Sequence, residues 1–176
     1  MSALQSLSIL LADDNQHMRA ITSAILQSAG VRKIREVPDG AMALEALREQ
    51  AVDLVIVDFN MFPLDGVEFT RLVRNSPDSV NPYLPIIMMT GHSEKHRVME
   101  ARDAGVTEFV VKPITAKAIF DRIQNVIVRP RAYVKTDGYF GPDRRRGMNG
   151  NYRGEMRRGN DPRPGVPVEI SNAQEI

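Results

Sequence analysis

The sequence of 176 residues contains no cysteine, which excludes a disulfide framework, a cysteine-bound zinc site and a catalytic thiol. It also has no apolar run near the roughly 18 residues that a membrane-spanning helix requires. The N-terminal residues lack a basic stretch and lead directly into two aspartates, so we expect no signal peptide. With 43% hydrophobic and 26% charged residues, the composition is typical of a globular chain, and we expect a cytoplasmic protein.

The formal net charge of +1 conceals an acidic body and a basic C-terminal segment. Residues 1–128 contain 13 basic and 16 acidic side chains, whereas residues 129–176 contain 10 and 6. The C-terminal segment also has 7 glycines and 5 prolines, a proportion that disfavours a packed core of its own. We therefore predict one domain over residues 1–128 and a largely irregular Gly/Pro/Arg-rich tail over residues 129–176. Tyr133, Tyr139 and Phe140 are the tail residues best suited to dock on the domain.

Within the body, short apolar runs alternate with segments whose apolar residues recur at steps of three and four. The run over residues 54–57 is apolar at every position, which indicates a strand buried on both faces of a parallel sheet. Five strands that alternate with five helices predict a doubly wound α/β fold. The predicted strands are residues 8–12, 34–37, 54–57, 86–89 and 109–111, and the predicted helices are residues 18–29, 43–47, 67–73, 95–104 and 119–127.

The ends of four predicted strands carry polar side chains. Asp13 and Asp14 follow the first strand, Asp58 the third, Thr90 the fourth and Lys112 the fifth. In open α/β sheets, ligands bind beyond the carboxyl ends of the strands, so these five side chains are expected to share one site. An aspartate pair after a strand can also serve only as a helix cap, but the coincidence of four strand ends favours a functional site.

This set of groups suits phosphoryl transfer. Clustered carboxylates repel one another unless a cation joins them, and oxygen ligands of this kind favour Mg²⁺, with Mn²⁺ as an alternative. A carboxylate can attack a phosphoryl group to form an acyl phosphate. The metal, an ammonium and a hydroxyl would then neutralise the phosphoryl oxygens.

The pattern resembles the receiver domain of bacterial two-component response regulators, in the chemotaxis-type single-domain form. The resemblance covers about residues 7–128 and implies a flavodoxin-like fold, with a five-stranded parallel sheet in the order 2-1-3-4-5 and helices on both faces. The motifs that carry it are Asp13-Asp14, Asp58, Asp65-Gly66, Thr90-Gly91 and Lys112-Pro113.

The resemblance also implies roles for the site residues. Asp58 matches the phosphoacceptor, and Asp13 and Asp14 match the metal-binding pair, with Asp14 favoured as the direct ligand. Asn60 matches the position whose backbone carbonyl binds the metal.

Thr90 and Lys112 match the residues that contact the phosphoryl group, and Thr90 and Phe109 match the switch positions. The implied function is that of a signalling switch rather than an ordinary enzyme, although it promotes its own phosphorylation and dephosphorylation. A sensor histidine kinase or phosphotransfer protein would donate the phosphoryl group. A downstream protein, not identified by the sequence, would bind the Lys95–Val128 face.

Two features depart from the family pattern. The family usually has proline four residues after the phosphoacceptor, but here Phe62 occupies that position and Pro63 follows. We therefore expect an altered phosphorylation rate. The segment from Tyr139 to Arg146 lies outside the receiver pattern and is similar to tails of some alphaproteobacterial single-domain regulators.

Two other classes of protein share part of this pattern. A nucleophilic-aspartate phosphatase also uses Asp and Mg²⁺, but such enzymes carry an Asp-x-Asp motif at the nucleophile. Here Asn60 stands in place of the second aspartate of that motif. A nucleic-acid-binding regulator would act through the tail. No helix-turn-helix pattern follows Val128, so we expect neither a DNA-binding output domain nor nucleic-acid binding.

Two weaker signals lie outside the strand ends. His92 and His96 have the spacing of a metal-binding pair, but without a third ligand nearby a solvated face is favoured. The arginine clusters Arg144–Arg146 and Arg157–Arg158 would suit nucleic acid or another anionic surface. The interpretation that they keep the tail soluble is favoured.

Overall fold

The computed structural model describes residues 3–91 and 95–144, and these residues form seven strands and six helices. The strands are β1 Ser8–Ala12, β2 Lys33–Val37, β3 Leu54–Asp58, β4 Ile86–Thr90, β5 Glu108–Val111, β6 Tyr133–Thr136 and β7 Tyr139–Pro142. The helices are α1 Ala3–Ser6, α2 Gln16–Ser28, α3 Gly40–Glu49, α4 Gly66–Asn75, α5 Lys95–Ala104 and α6 Ala116–Val128.

Strands β1 to β5 form one parallel sheet in the order β2-β1-β3-β4-β5. This order confirms the flavodoxin-like fold expected from the resemblance. Each of the ten predicted elements is present, with ends within a few residues of the predicted ones. The four-residue helix α1 was not predicted.

The core forms two layers because successive side chains of a strand point to opposite faces of the sheet. Helices α3, α4 and α5 cover one face, and helices α2 and α6 cover the other. Strands β3 and β4 are buried at every position, as expected for central strands. The first face is formed chiefly by Leu10, Val55, Val57, Ile86 and Met88, and the second by Ile9, Leu11, Ile56, Ile87 and Met89.

Side-chain caps begin four of the helices. Asp39 accepts the Met42 N–H and caps α3, while Asp65 and Thr115 cap α4 and α6 in the same way. Asn15 caps α2 by accepting two backbone N–H groups. The cap of α2 is therefore supplied by Asn15, and the aspartate pair before it remains available for the site.

Residues 133–142 of the predicted tail form an antiparallel hairpin, β6–β7, which the composition did not predict. The rings of Tyr133 and Phe140 both pack edge-on against Tyr83, and the Tyr133 hydroxyl donates a 2.8 Å hydrogen bond to the Tyr83 carbonyl oxygen. Arg74 stacks over the Tyr133 ring at 5.2 Å. The predicted docking of Tyr133 and Phe140 is thus observed.

Composition missed the hairpin because its stability comes from the body. Two four-residue strands are marginal on their own in water. Here Arg131 pairs with Glu108 at 2.6 Å, and Arg144 pairs with Asp103 at 3.0 Å while stacking over the Tyr139 ring. These contacts anchor the hairpin at the amino-terminal ends of β4 and β5.

Several expectations fall on residues outside the described ranges. They concern His92, the side chain of His96 and the arginines from Arg145 onward. Within the described residues, no helix has the length and apolar character needed to cross a membrane.

Candidate functional site

The polar residues predicted from the strand ends lie together at the carboxyl edge of the sheet. Asp13 and Asp14 follow β1, Asp58 is the last residue of β3, and Lys112 follows β5. One carboxylate oxygen from each of the three aspartates lies within 4.8 Å of the others. The ammonium Nζ of Lys112 lies 2.7 Å from Asp58 Oδ1 and 3.6 Å from Asp13 Oδ2.

Asp13 is fully buried and is held from two sides. Its Oδ1 accepts the Asn15 N–H at 2.9 Å, and its backbone oxygen accepts a 2.6 Å bond from the Arg19 guanidinium. Its Oδ2 has no hydrogen-bond partner, and Lys112 approaches it only to 3.6 Å. Because buried carboxylate oxygens are normally satisfied, this atom indicates a place for a cation.

Lys112 is positioned by the edge of the sheet. Its backbone N–H donates a 2.8 Å bond to the Thr90 carbonyl oxygen, which continues the β4–β5 pairing past the end of β5. Its side chain is one-quarter exposed and reaches across the site to Asp58. The ammonium is therefore fixed beside the carboxylate while remaining open to solvent.

The environment shifts the pKa values of both Asp58 and Lys112. Burial raises the pKa of the Asp58 carboxyl above its ordinary value, although the hydrogen bond and charge of Lys112 oppose the shift. Burial alone would lower the pKa of Lys112, but its hydrogen bond to Asp58 and the charges of Asp58 and Asp13 outweigh burial and raise it. Lys112 is therefore held in its cationic form.

The Asp65-Gly66 motif allows α4 to start against the acceptor strand. Asp65 accepts the Glu68 N–H at 2.8 Å, and the Gly66 N–H bonds to the Phe59 carbonyl oxygen at 3.1 Å. A Cβ on Gly66 would lie 2.3 Å from the Asp58 carbonyl oxygen. Only glycine permits this approach, which explains the motif in physical terms.

Thr90 and Phe109 lie on the sheet face that α3, α4 and α5 cover. Thr90 ends β4 and is buried, with its hydroxyl 3.2 Å from the Gly91 carbonyl oxygen. Phe109 pairs with Met88 across β4 and β5 and packs, half-buried, against the core of that face. Both candidate switch residues thus lie on the side of the sheet that α5 covers.

One contact at the site was not found from the sequence. Arg97 of α5 donates a 2.8 Å hydrogen bond from Nη1 to Asn60 Oδ1, and its guanidinium stacks over the Phe59 ring at 4.1 Å. Arg97 lies 37 residues from Asn60, in a helix whose polar pattern marks no single residue. No sequence signal would have identified it. Phe62, in the same loop, is 83% exposed.

The donor set fits a divalent cation. Asp13, Asp14 and Asp58 offer hard oxygen ligands, one of them an unpartnered buried oxygen, and Asp14 is exposed so that water can complete the coordination. Mg²⁺ prefers a few carboxylates together with water and phosphate oxygens. The residues present therefore fit Mg²⁺.

The chain matches the sequence model of the response regulator receiver domain over residues 9–124. It is 34% identical over 121 residues to the chemotaxis protein CheY of Pseudomonas aeruginosa, covering 69% of this chain and 96% of that protein. It is 30% identical over 125 residues to the chemotaxis protein CheY-3 of Vibrio cholerae, covering 71% of this chain and 95% of the relative.

Solved structures show the same likeness. The chemotaxis protein CheY4 of Vibrio cholerae is 30% identical, with a TM-score of 0.63 over 69% of this chain and 98% of that one. The receiver domain of the sensor histidine kinase PA1611 from Pseudomonas aeruginosa is 27% identical, with a TM-score of 0.61 over 68% of this chain and 95% of that one. That structure holds a magnesium ion in its active-site cleft.

The fold, the side chains at the strand ends and the sequence likeness all indicate a receiver domain. Receiver domains are signalling switches rather than ordinary enzymes, and phosphorylation and Mg²⁺ binding at an acidic pocket are typical of them. They interact with histidine kinases or phosphotransfer proteins. By its match over residues 9–124, this chain belongs to the response regulator receiver domain family.

Proposed function

We propose that this chain is a phosphoacceptor switch that takes a phosphoryl group onto Asp58 from a histidine kinase or phosphotransfer protein. The observation that carries the proposal is the contact of 2.7 Å between the Asp58 carboxylate and the Lys112 ammonium, beside two further aspartates. An ammonium group fixed beside a buried carboxylate is suited to neutralise the negative charge of an incoming phosphoryl group.

In the transfer step, an Asp58 oxygen attacks phosphorus while the bond from phosphorus to the donor nitrogen breaks. The leaving imidazole keeps the electron pair of the broken bond. Lys112 shifts from Asp58 to a phosphoryl oxygen, and its raised pKa keeps the proton on Nζ. Thr90, at the end of the neighbouring strand, donates its hydroxyl to a second phosphoryl oxygen.

Asp13, Asp14, Asp58 and the backbone carbonyl of Asn60 would hold Mg²⁺ or Mn²⁺, with Asp14 favoured as a direct ligand. When bound, the cation supplies charge neutralisation at the phosphoryl oxygens. Before the transfer, Lys112 holds the acceptor carboxylate through its contact with Asp58 Oδ1. Hydrolysis of the acyl phosphate by water returns Asp58 to its free form.

The switch is relayed through Thr90 and Phe109 to the Lys95–Val128 face. A change at the site needs a two-state element to reach a distant surface. Both residues lie on the α5 side of the sheet, where Thr90 can follow the phosphoryl group and Phe109 can change its packing.

The composition of the Lys95–Val128 face supports its use as a partner surface. Met99 of α5, Val111 of β5 and Val128 of α6 are exposed by 57%, 45% and 71%. Each of these exposed apolar side chains would gain from burial against a protein partner. We propose that phosphorylation changes the affinity of this face for a downstream protein.

The test is phosphorylation with acetyl phosphate, which supplies a phosphoryl group without a kinase. The wild-type protein is expected to incorporate one phosphoryl group, and only when Mg²⁺ or Mn²⁺ is present. Asp58→Asn is expected to abolish incorporation. Asp53→Asn is the matched control, because Asp53 is an exposed aspartate at the other end of the same strand.

Equal incorporation by Asp58→Asn and the wild type would disprove the assignment of the acceptor. Full incorporation in the presence of a chelator would disprove the metal requirement. Loss of incorporation in Asp53→Asn would show that the assay reports folding rather than the acceptor.

A further inference from the structure

Helix α5 is held on the domain mainly by polar contacts. Among its described side chains, only Ala101 and Ala104 are buried, so little apolar area anchors it. Glu100 pairs with Arg71 at 3.1 Å in the middle of the helix, and Asp103 pairs with Arg144 at 3.0 Å near its end. Exposed ion pairs are each worth about 0–1 kcal/mol, so α5 can shift at small cost.

Near the start of α5, Arg97 makes a contact of a different kind. Its guanidinium bonds to Asn60 Oδ1 at 2.8 Å and lies over the ring of Phe59 at 4.1 Å. Phe59 is fully buried, and Phe59 and Asn60 directly follow Asp58 in the chain. Arg97 therefore joins the proposed partner face to the loop that leaves the acceptor.

We propose that Arg97 is a positioning residue: it clamps the Phe59–Asn60 loop, keeps the acceptor site in its reactive geometry and ties that geometry to α5. The inference rests on the proposed function of Asp58. A guanidinium suits the task because its plane stacks on the ring while its N–H groups bond in that plane. The clamp acts beside the relay of Thr90 and Phe109 and is independent of it.

The clamp should affect the rates of both phosphorylation and dephosphorylation of Asp58. Reaction at Asp58 requires the acceptor, Lys112 and the loop carbonyl at Asn60 to keep their relative positions. Misplacement by about 1 Å can cost up to about 100-fold in rate. Loosening one side of the loop is a smaller change, so we expect Arg97→Ala to slow phosphorylation and dephosphorylation alike, by about threefold to tenfold.

The experiment compares full-length variants in two assays. The first measures the rate of phosphorylation by acetyl phosphate and the half-life of the phosphorylated protein. The second measures amide hydrogen exchange in the unphosphorylated protein, in the Phe59–Asn60 loop and in α5. Arg97→Ala is expected to slow both rates and to speed exchange in both segments. Arg97→Lys, which keeps the charge and a donor, is expected to recover part of both effects.

A double-mutant cycle isolates the contact. Asn60→Ala removes the side-chain acceptor but keeps the backbone carbonyl, so Arg97→Ala should add little in its presence. Arg102→Ala is the matched control: Arg102 is an exposed arginine on the same helix, paired with Asp103. It is expected to leave both rates and the loop exchange within about twofold of the wild type, the range within which independent sites act separately.

The inference is overturned if Arg97→Ala keeps wild-type rates and loop exchange, if its effect multiplies with that of Asn60→Ala, or if Arg97→Lys behaves as Arg97→Ala does. Failure of the proposed function looks different. In that case the wild type itself takes no phosphoryl group at Asp58, while hydrogen exchange still reports on the clamp.

Discussion

Tyr133 joins the β6–β7 hairpin to the body of the domain, and its truncation tests whether the hairpin is part of the folded unit. The side chain is 6% exposed and contacts Tyr83 and Phe140 with its ring. Its hydroxyl bonds to the Tyr83 carbonyl, and the buried Arg74 guanidinium lies over its ring. Tyr133→Ala removes all of these contacts at once.

The expected loss can be worked out from those contacts. Truncation of a buried aromatic residue to alanine costs about 3–5 kcal/mol. The hairpin lies at the edge of the domain, where neighbouring groups can relax, so we expect about 3 kcal/mol, of which the hydroxyl bond contributes about 1 kcal/mol. Tyr133→Phe should therefore cost about 1 kcal/mol.

Urea unfolding provides the assay. With a slope of about 2 kcal/mol per molar, a loss of 3 kcal/mol moves the midpoint by about 1.5 M. Lys135→Ala is the control, because Lys135 is exposed on the same strand and should leave the midpoint unchanged. Phosphorylation at Asp58 should persist in all three variants, since the hairpin packs at the opposite edge of the sheet. If Tyr133→Ala unfolds with the midpoint of Lys135→Ala, the hairpin is not part of the cooperative unit.

Three further predictions concern the tail, the tyrosines and the relay. A chain cut after Arg129 should still fold and accept phosphate but should lose about 3 kcal/mol or more of stability, because it lacks Tyr133 and the rest of the hairpin. An unchanged urea midpoint for this chain would contradict the prediction. Burial raises the pKa of Tyr133 and Tyr139, so the stability that they contribute is complete below pH 10 and is lost as the pH rises through the raised values. Phenolate absorbance should show late-ionising tyrosines, fewer by one in Tyr133→Phe, and an identical titration curve would refute the burial argument. Thr90→Ala should still be phosphorylated but should gain less affinity for its partner on phosphorylation. The measurement is the amount of partner protein that the immobilised variant retains with and without beryllofluoride, and a gain equal to that of the wild type would remove Thr90 from the relay.

The sheet and the acidic cluster were accessible from sequence because each depends on short-range pattern. Continuous apolar runs such as residues 54–57 are too short for a buried helix and indicate a central strand, and the polar residue after each run then lies at the carboxyl edge. Asp13, Asp58 and Lys112 could therefore be brought together without coordinates. Their distances and the unpartnered oxygen of Asp13 needed the structure.

The features that were missed depend on contacts between distant segments. The prediction from composition overlooked the two-residue Asp137-Gly138 turn that joins β6 and β7. The packing of the hairpin comes from Tyr83 and Arg74, which lie 50 and 59 residues before Tyr133. Arg97 meets Asn60 only because α5 packs beside the loop after β3. Neither contact leaves a periodic signal, because each is one side chain on a partner far away in sequence.

The central claim is that Asp58 alone accepts the phosphoryl group, and chemical mapping of the modified residue tests it most directly. The wild-type protein is treated with acetyl phosphate and Mg²⁺, the acyl phosphate is reduced with borohydride, and peptides are analysed by mass spectrometry for the resulting homoserine. The account predicts homoserine at position 58 and at neither Asp13 nor Asp14, with no signal when a chelator replaces Mg²⁺. Homoserine at either neighbouring aspartate, or at position 58 without a divalent cation, would contradict it.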